Sequence, residues 1–212
     1  MEHINIETTI SNLRTIYSEC NEHLRATDQK KNQVIYFYII IIGAYYALPQ
    51  YFTKDIHYTS NFGYLALVIV GIFVILITTW YVVWHDVYVN TAIILQHLIM
   101  NQKYINRNGL LNYTEIREYI SEFTKNLEKD YTGAKRKIRT EFLLIWLTAL
   151  LTLLNLIIYI LFFFNFYKNL HILLICVFLI CILASYIITY LCQRYERIKM
   201  ISILKNSWLL KF

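Results

Sequence analysis

Four long stretches of the chain carry no Asp, Glu, Lys or Arg. The first lies between Lys31 and Lys54; the second runs from Asp55 to Asp86, with an apolar centre from Tyr64 to Trp84. The third lies between Glu141 and Lys168 and the fourth between Lys168 and Arg194. At about 1.5 Å of rise per helical residue, each is long enough for a hydrocarbon core roughly 30 Å thick. Backbone polar groups in lipid must bond within their own segment, which makes helix the expected form. The pattern predicts an all-α integral membrane protein with four transmembrane helices.

Between these stretches the apolar period is that of a half-buried helix. In the N-terminal arm Ile6, Ile10, Leu13, Tyr17, Cys20 and Leu24 recur every three or four residues and share one stripe. That stripe needs a cover, supplied either by the chain's own loop or by another subunit. From Val87 to Ile105 only Lys103 is charged, so the second span is expected to continue inward to a turn at Asn106–Asn112 that contains Gly109. A further helix, capped by Asn112 or Thr114, carries Ile116, Ile120, Phe123, Leu127, Tyr131, Ala134 and Ile138 on one face. The expected order is an amphipathic arm at 1–31, spans one and two at 32–85, a basic helical hairpin at 86–141, spans three and four at 142–193, and a tail at 194–212. Arm, hairpin and tail together predict a helical cytoplasmic stalk or vestibule.

Charge supplies the orientation. The arm holds four basic residues, the central loop nine and the tail five, whereas the two short connections hold only Lys54 and Lys168. Lys and Arg beside spans are retained on the cytoplasmic side, so both termini are expected there, in a multi-pass membrane protein. Composition agrees with the lipid bilayer as partner: 58% of the residues are apolar or aromatic, with 19 tyrosines and four tryptophans. Ahead of Lys31 stand the acids Glu2, Glu7, Glu19, Glu22 and Asp28, with no apolar core before a small-residue cleavage site, so a removable signal is not expected.

The densest basic cluster is Lys135, Arg136, Lys137 and Arg139, with Lys125 and Lys129 earlier on the same helix. One reading is a collar that holds anionic lipid; the other is a pocket for a nucleotide or short oligonucleotide, with Phe123, Tyr131 and Tyr119 as stacking surfaces. In span three Thr148, Thr152, Asn155 and Tyr159 lie at spacings of 4, 3 and 4, on one helical face. They either bond to neighbouring helices or line a narrow aqueous pore. Ser185 and Thr189 in span four, and Thr78 and Thr79 in span two, fit either arrangement. Gly43 with Ala47, and Gly63 with Gly71, mark places where helices can approach closely.

Other chemistry is not expected. No charge lies inside a span, which argues against ion-coupled transport and proton relay. His85 and Asp86 are adjacent at the inner end of span two and are expected to cap the interface. Cys20, Cys176, Cys181 and Cys192 have no zinc spacing, and no nucleophile, phosphate-loop or metalloprotease motif is present, so we expect no metal, no cofactor and no enzyme.

The layout of short helix, two spans, basic helical loop, two spans and tail resembles the small membrane effectors of bacterial anti-phage defence, in particular the Hailong-type channel effectors. The resemblance implies a homo-oligomeric, tetrameric channel whose electropositive cytoplasmic vestibule takes short DNA oligomers made by a nucleotidyltransferase partner and is held closed by them. It would place Lys135, Arg136, Lys137 and Arg139 in that vestibule and make the N-terminal helix a gate.

Overall fold

No glycine or proline precedes Gly43, so nothing in the arm or in the start of the first apolar stretch breaks a helix. Accordingly α1 runs without interruption through Glu2–Phe52, joining the amphipathic arm to the first apolar stretch. The computed structural model describes residues 2–52, 61–105, 109–132, 140–163 and 170–209, and it is all-helical. Four further α-helices follow among the described residues: α2 (Asn61–Met100), α3 (Tyr113–Thr132), α4 (Thr140–Phe163) and α5 (Leu170–Leu209). Two helices among those residues are long and apolar enough to cross a membrane, Gly63–Met100 in α2 and Phe142–Leu161 in α4. α1 and α5 each join an apolar stretch to a charged one.

Contacts divide the chain into two units. Unit 1 comprises Met1–Gln29, Tyr81–Lys137 and Tyr195–Phe212; unit 2 comprises Lys30–Trp80 and Ile138–Arg194. The helices α1, α2 and α5 each supply residues to both.

In unit 1 the arm's stripe finds its cover on the chain's own hairpin. Leu13 and Cys20 are buried with Ile94, Leu95 and Leu98 of α2, Tyr104, and Ile116 and Ile120 of α3. The branched aliphatic side chains of this core, each worth about 1.5–3 kcal/mol when fully buried, hold the three helices together. A second small core joins Val87 to Met200 and Leu204 of α5. Polar contacts join the elements as well: Thr9 Oγ1 donates to the Gly109 carbonyl at 2.6 Å, and Asn90 Nδ2 donates to Met200 Sδ of α5 at 3.3 Å.

The second helix ends at Met100, short of Ile105, to which its apolar pattern extends. The Asn101 N–H makes the last i→i−4 bond, to the His97 carbonyl at 3.1 Å, and the Asn101 side-chain amide donates to the same carbonyl at 2.9 Å; the next bond, Tyr104 N–H to the Asn101 carbonyl at 3.3 Å, is of the tighter i→i−3 kind. A 3₁₀ turn at Gln102–Tyr104 follows, and Ile105 pairs with Leu111 in an antiparallel bridge. Gly109 sits in that turn at a φ of 74°, a conformation glycine adopts without a Cβ penalty. Asn112 then caps α3: its carbonyl accepts the Ile116 N–H at 3.1 Å, and its amide donates to Glu115 Oε1 at 2.9 Å.

Unit 2 carries apolar side chains on its outside as well as in its core. Tyr36, Phe37 and Ile40 on α1, Ile69, Ile72, Phe73 and Leu76 on α2, and Leu183, Ile187 and Leu191 on α5 are all exposed. Thr78, Thr79, Thr148, Thr152, Asn155, Ser185 and Thr189 are buried. Most of these hydroxyls bond back to a carbonyl of the preceding turn of their own helix, as Thr79 does to Ile75 at 2.8 Å and Thr189 to Ser185 at 2.8 Å. Close approach depends on two of the glycines. A Cβ on Gly71 would strike Tyr38 and Thr152, and one on Gly63 would strike the Tyr45 ring, whereas Gly43 faces open space. Of the small residues marked by the sequence, Gly63 and Gly71 therefore admit neighbours within this unit and Gly43 does not.

Candidate functional site

At the end of α2 the chain gathers aromatic rings in unit 1. His97 lies in the last turn of α2, Tyr104 on the 3₁₀ turn, and Tyr119 and Phe123 one turn apart on α3. The His97 ring stacks on Tyr119 with centroids 4.3 Å apart and planes 13° from parallel; Tyr104 and Phe123 lie 5.8 and 6.0 Å from Tyr119. The Asn101 amide lies 3.3 Å from His97 Nδ1 and can only donate, so a neutral ring carries its proton on Nε2 and gives it to the Tyr104 hydroxyl at 3.2 Å. Burial, and next the neighbouring Tyr104 phenol, push the Tyr119 hydroxyl above the ordinary tyrosine range.

A cavity of about 900 Å³ opens beside these rings. Lys103 and Lys125 line it, with the Lys103 ammonium 4.8 Å from the Tyr104 centroid. Glu115, Glu118 and Glu122 line it too. Two ammonium groups and three carboxylates give a mixed surface, suited to a planar ring on the aromatic shelf, a phosphate at the lysines and hydroxyls at the carboxylates. Of the residues picked out by charge density, Lys125 belongs to this cavity and is exposed, while Lys129 is exposed but does not line it. Lys135, Arg136, Lys137 and Arg139 lie outside the described residues, as does the Tyr131 side chain. Lys103, Tyr104 and His97 do not stand out by motif or spacing; the one signal is Lys103, the single Lys, Arg, Asp or Glu between Val87 and Ile105.

The polar stripe of α4 is turned into unit 2. Thr148, Thr152 and Asn155 are 3%, 5% and 3% exposed, and Tyr159 is half-buried. Thr148 Oγ1 donates to the Leu144 carbonyl at 2.8 Å, Thr152 Oγ1 to the Thr148 carbonyl at 2.7 Å, and Asn155 Nδ2 to the Leu151 carbonyl at 3.0 Å. Two bonds reach α1: Thr152 Oγ1, whose proton goes to the Thr148 carbonyl, accepts from Tyr38 Oη at 3.0 Å, and the Tyr46 hydroxyl donates to Asn155 Oδ1 at 2.6 Å. The stripe thus serves as glue between helices in the single chain, with tyrosines supplying partners that the α4 sequence alone does not reveal.

The adjacent pair in α2, His85 and Asp86, is divided in role. His85 Nδ1 lies 2.9 Å from Asp28 Oδ1 of α1, while Asp86 is buried and its carbonyl accepts from Asn90. Among the described residues no group of three His, Cys, Asp or Glu side chains is placed to hold a metal ion, and Cys20, Cys181 and Cys192 are free thiols. Comparison with known proteins adds no family to this picture: no family model, no curated protein and no solved structure matches the chain.

Proposed function

We propose that the chain is a four-span protein of the bacterial inner membrane, with both termini cytoplasmic, and that several copies form a conduit controlled by an anionic nucleotide or short oligonucleotide. The observation that carries this reading is the exterior of unit 2, on which aliphatic and aromatic side chains are exposed while hydroxyl and amide groups are buried beside apolar ones. Water would penalise that exterior and lipid would not. The apolar parts of α1 and α5 share it with α2 and α4, which supports four spans. The ring cluster supports a ligand with a planar base, and Lys103 and Lys125 offer its phosphate two ammonium groups, opposed by Glu115, Glu118 and Glu122. Ligand binding there would bias helices that continue into unit 2, and opening would part the Tyr38–Thr152 and Tyr46–Asn155 bonds in favour of water. A conduit of this kind, acting as a defence effector, would dissipate the membrane gradient.

The same two bonds favour a second reading, a non-conducting membrane scaffold that recruits a soluble partner through its cytoplasmic helices. The arm's apolar stripe is already packed against α2 and α3, so recruitment would use another face of unit 1. Ion flux from liposomes separates the two. The conduit requires flux that changes when a short oligonucleotide is added; the scaffold gives none with correctly assembled protein.

A further inference from the structure

A second cavity in unit 1, about 640 Å³, differs in character from the ring-and-lysine site. Leu13 and Ile16 of α1 and Leu95 and Leu98 of α2 give it aliphatic walls, and Trp84 and Tyr88 present indole and phenol rings 5.9 Å apart. Its polar groups are few. Cys20 Sγ is committed to the Tyr88 carbonyl at 3.2 Å, and the His23 ring is stacked on Tyr88 at 5.4 Å. Among the described residues lining the cavity, Glu19 is the one Asp, Glu, Lys or Arg, and it is exposed. The cavity falls within the size range of small-molecule sites, and walls of aliphatic carbon, two electron-rich ring faces and a single carboxylate define the chemistry of the occupant. Ring faces and carboxylate both attract positive charge, and the walls require apolar bulk.

We infer that this cavity binds a lipophilic organic cation, separately from the anionic ligand of the other site and whether or not the protein conducts. The cation would sit against Trp84 and Tyr88 with Glu19 at its edge. Selectivity would follow from sign: an anion of the same size meets the carboxylate and the negative ring faces, and gains only the hydrophobic part of the interaction.

The full-length protein in nanodiscs, with empty nanodiscs subtracted, provides the test by equilibrium dialysis. Tetraphenylphosphonium and tetraphenylborate are the probes, since they match in shape and differ in sign. The expected result is saturable binding of the phosphonium, at least tenfold weaker binding of the borate, and an approximately fivefold loss of phosphonium affinity in Glu19→Gln, the order expected of one partly solvated ion pair. Ile16→Trp, at an exposed position where bulk is tolerated, should close the cavity and abolish saturable binding. Equal uptake of both ions, absence of saturation, or phosphonium binding unchanged in both variants overturns the assignment. Because the readout is binding and not flux, it stands or falls independently of the conduit.

Discussion

The Tyr46 hydroxyl donates to Asn155 Oδ1 at 2.6 Å, tying the C-terminal part of α1 to the middle of α4. The bond spans 109 residues of chain and joins the only amide in the α4 stripe to a ring that is 38% exposed. Interhelical bonds of this kind are worth about 0.6–2 kcal/mol in membrane proteins. Tyr46→Phe and Asn155→Leu should each lower unfolding stability in detergent by about that amount, and the double variant should lose less than the sum. Strict additivity would show that the bond contributes nothing. Asn155→Leu should also change conductance with assembly retained, as the conduit reading requires.

Gly71 and Gly43 should respond oppositely to the same methyl group. At Gly71 the added Cβ meets the Thr152 side chain, whose branching leaves it little room to turn, and displaces the Tyr38 hydroxyl from it. Gly71→Ala should cost about 1–3 kcal/mol, in the range of overpacking. Gly43→Ala meets nothing within 4 Å and should be neutral or stabilising by up to about 1 kcal/mol through helix propensity. Thermal unfolding of both variants checks the contrast.

The ring cluster and the two lysines should separate on binding of a labelled oligonucleotide followed by fluorescence anisotropy. Tyr119→Ala removes the centre of the stack and should cost about 1–3 kcal/mol of affinity at every salt concentration. Lys103→Gln and Lys125→Gln should each weaken binding and reduce the slope of log affinity against log salt by about 0.7. An unchanged salt slope in both lysine variants would move phosphate recognition away from this cavity.

Burial pushes the Cys20 thiol above its ordinary range, opposed in part by a backbone hydrogen bond at Ala92. Thiolate is the reactive form, so at mildly alkaline pH Cys20 should alkylate more slowly in the folded protein than in denaturant. The sign for stability follows: with the folded value above the unfolded one, this contribution is complete below the ordinary thiol range and is lost as pH rises through the folded value. Mass spectrometry after iodoacetamide treatment reads the rate, and equal rates in both states would contradict the burial.

Apolar period and charge placement made the helices legible, including the arm's stripe, the Asn112 cap and the turn at Gly109. They did not show where one helix would end: after Asn101 the backbone bonds change from i→i−4 to the i→i−3 kind of the 3₁₀ turn, a switch that no apolar pattern encodes. The arm and the first apolar stretch form one helix, since a change from polar to apolar residues alters the surroundings of a helix without interrupting its hydrogen bonds. Site chemistry was legible only within one element. Spacing placed Thr148, Thr152 and Asn155 on one face; it carried no information that Tyr38 and Tyr46, far earlier in the chain, would meet that face. Likewise Lys125 stood out by charge, but its cavity partners His97, Lys103 and Tyr104 come from across a turn.

Ion flux from proteoliposomes, with and without short anionic oligonucleotides over a range of salt, tests the gated conduit most directly. A gated conduit gives flux from the assembled protein that changes when the oligonucleotide is added, with the response diminished in Tyr119→Ala. Absence of flux in every condition, from protein shown to be folded and inserted, would contradict it.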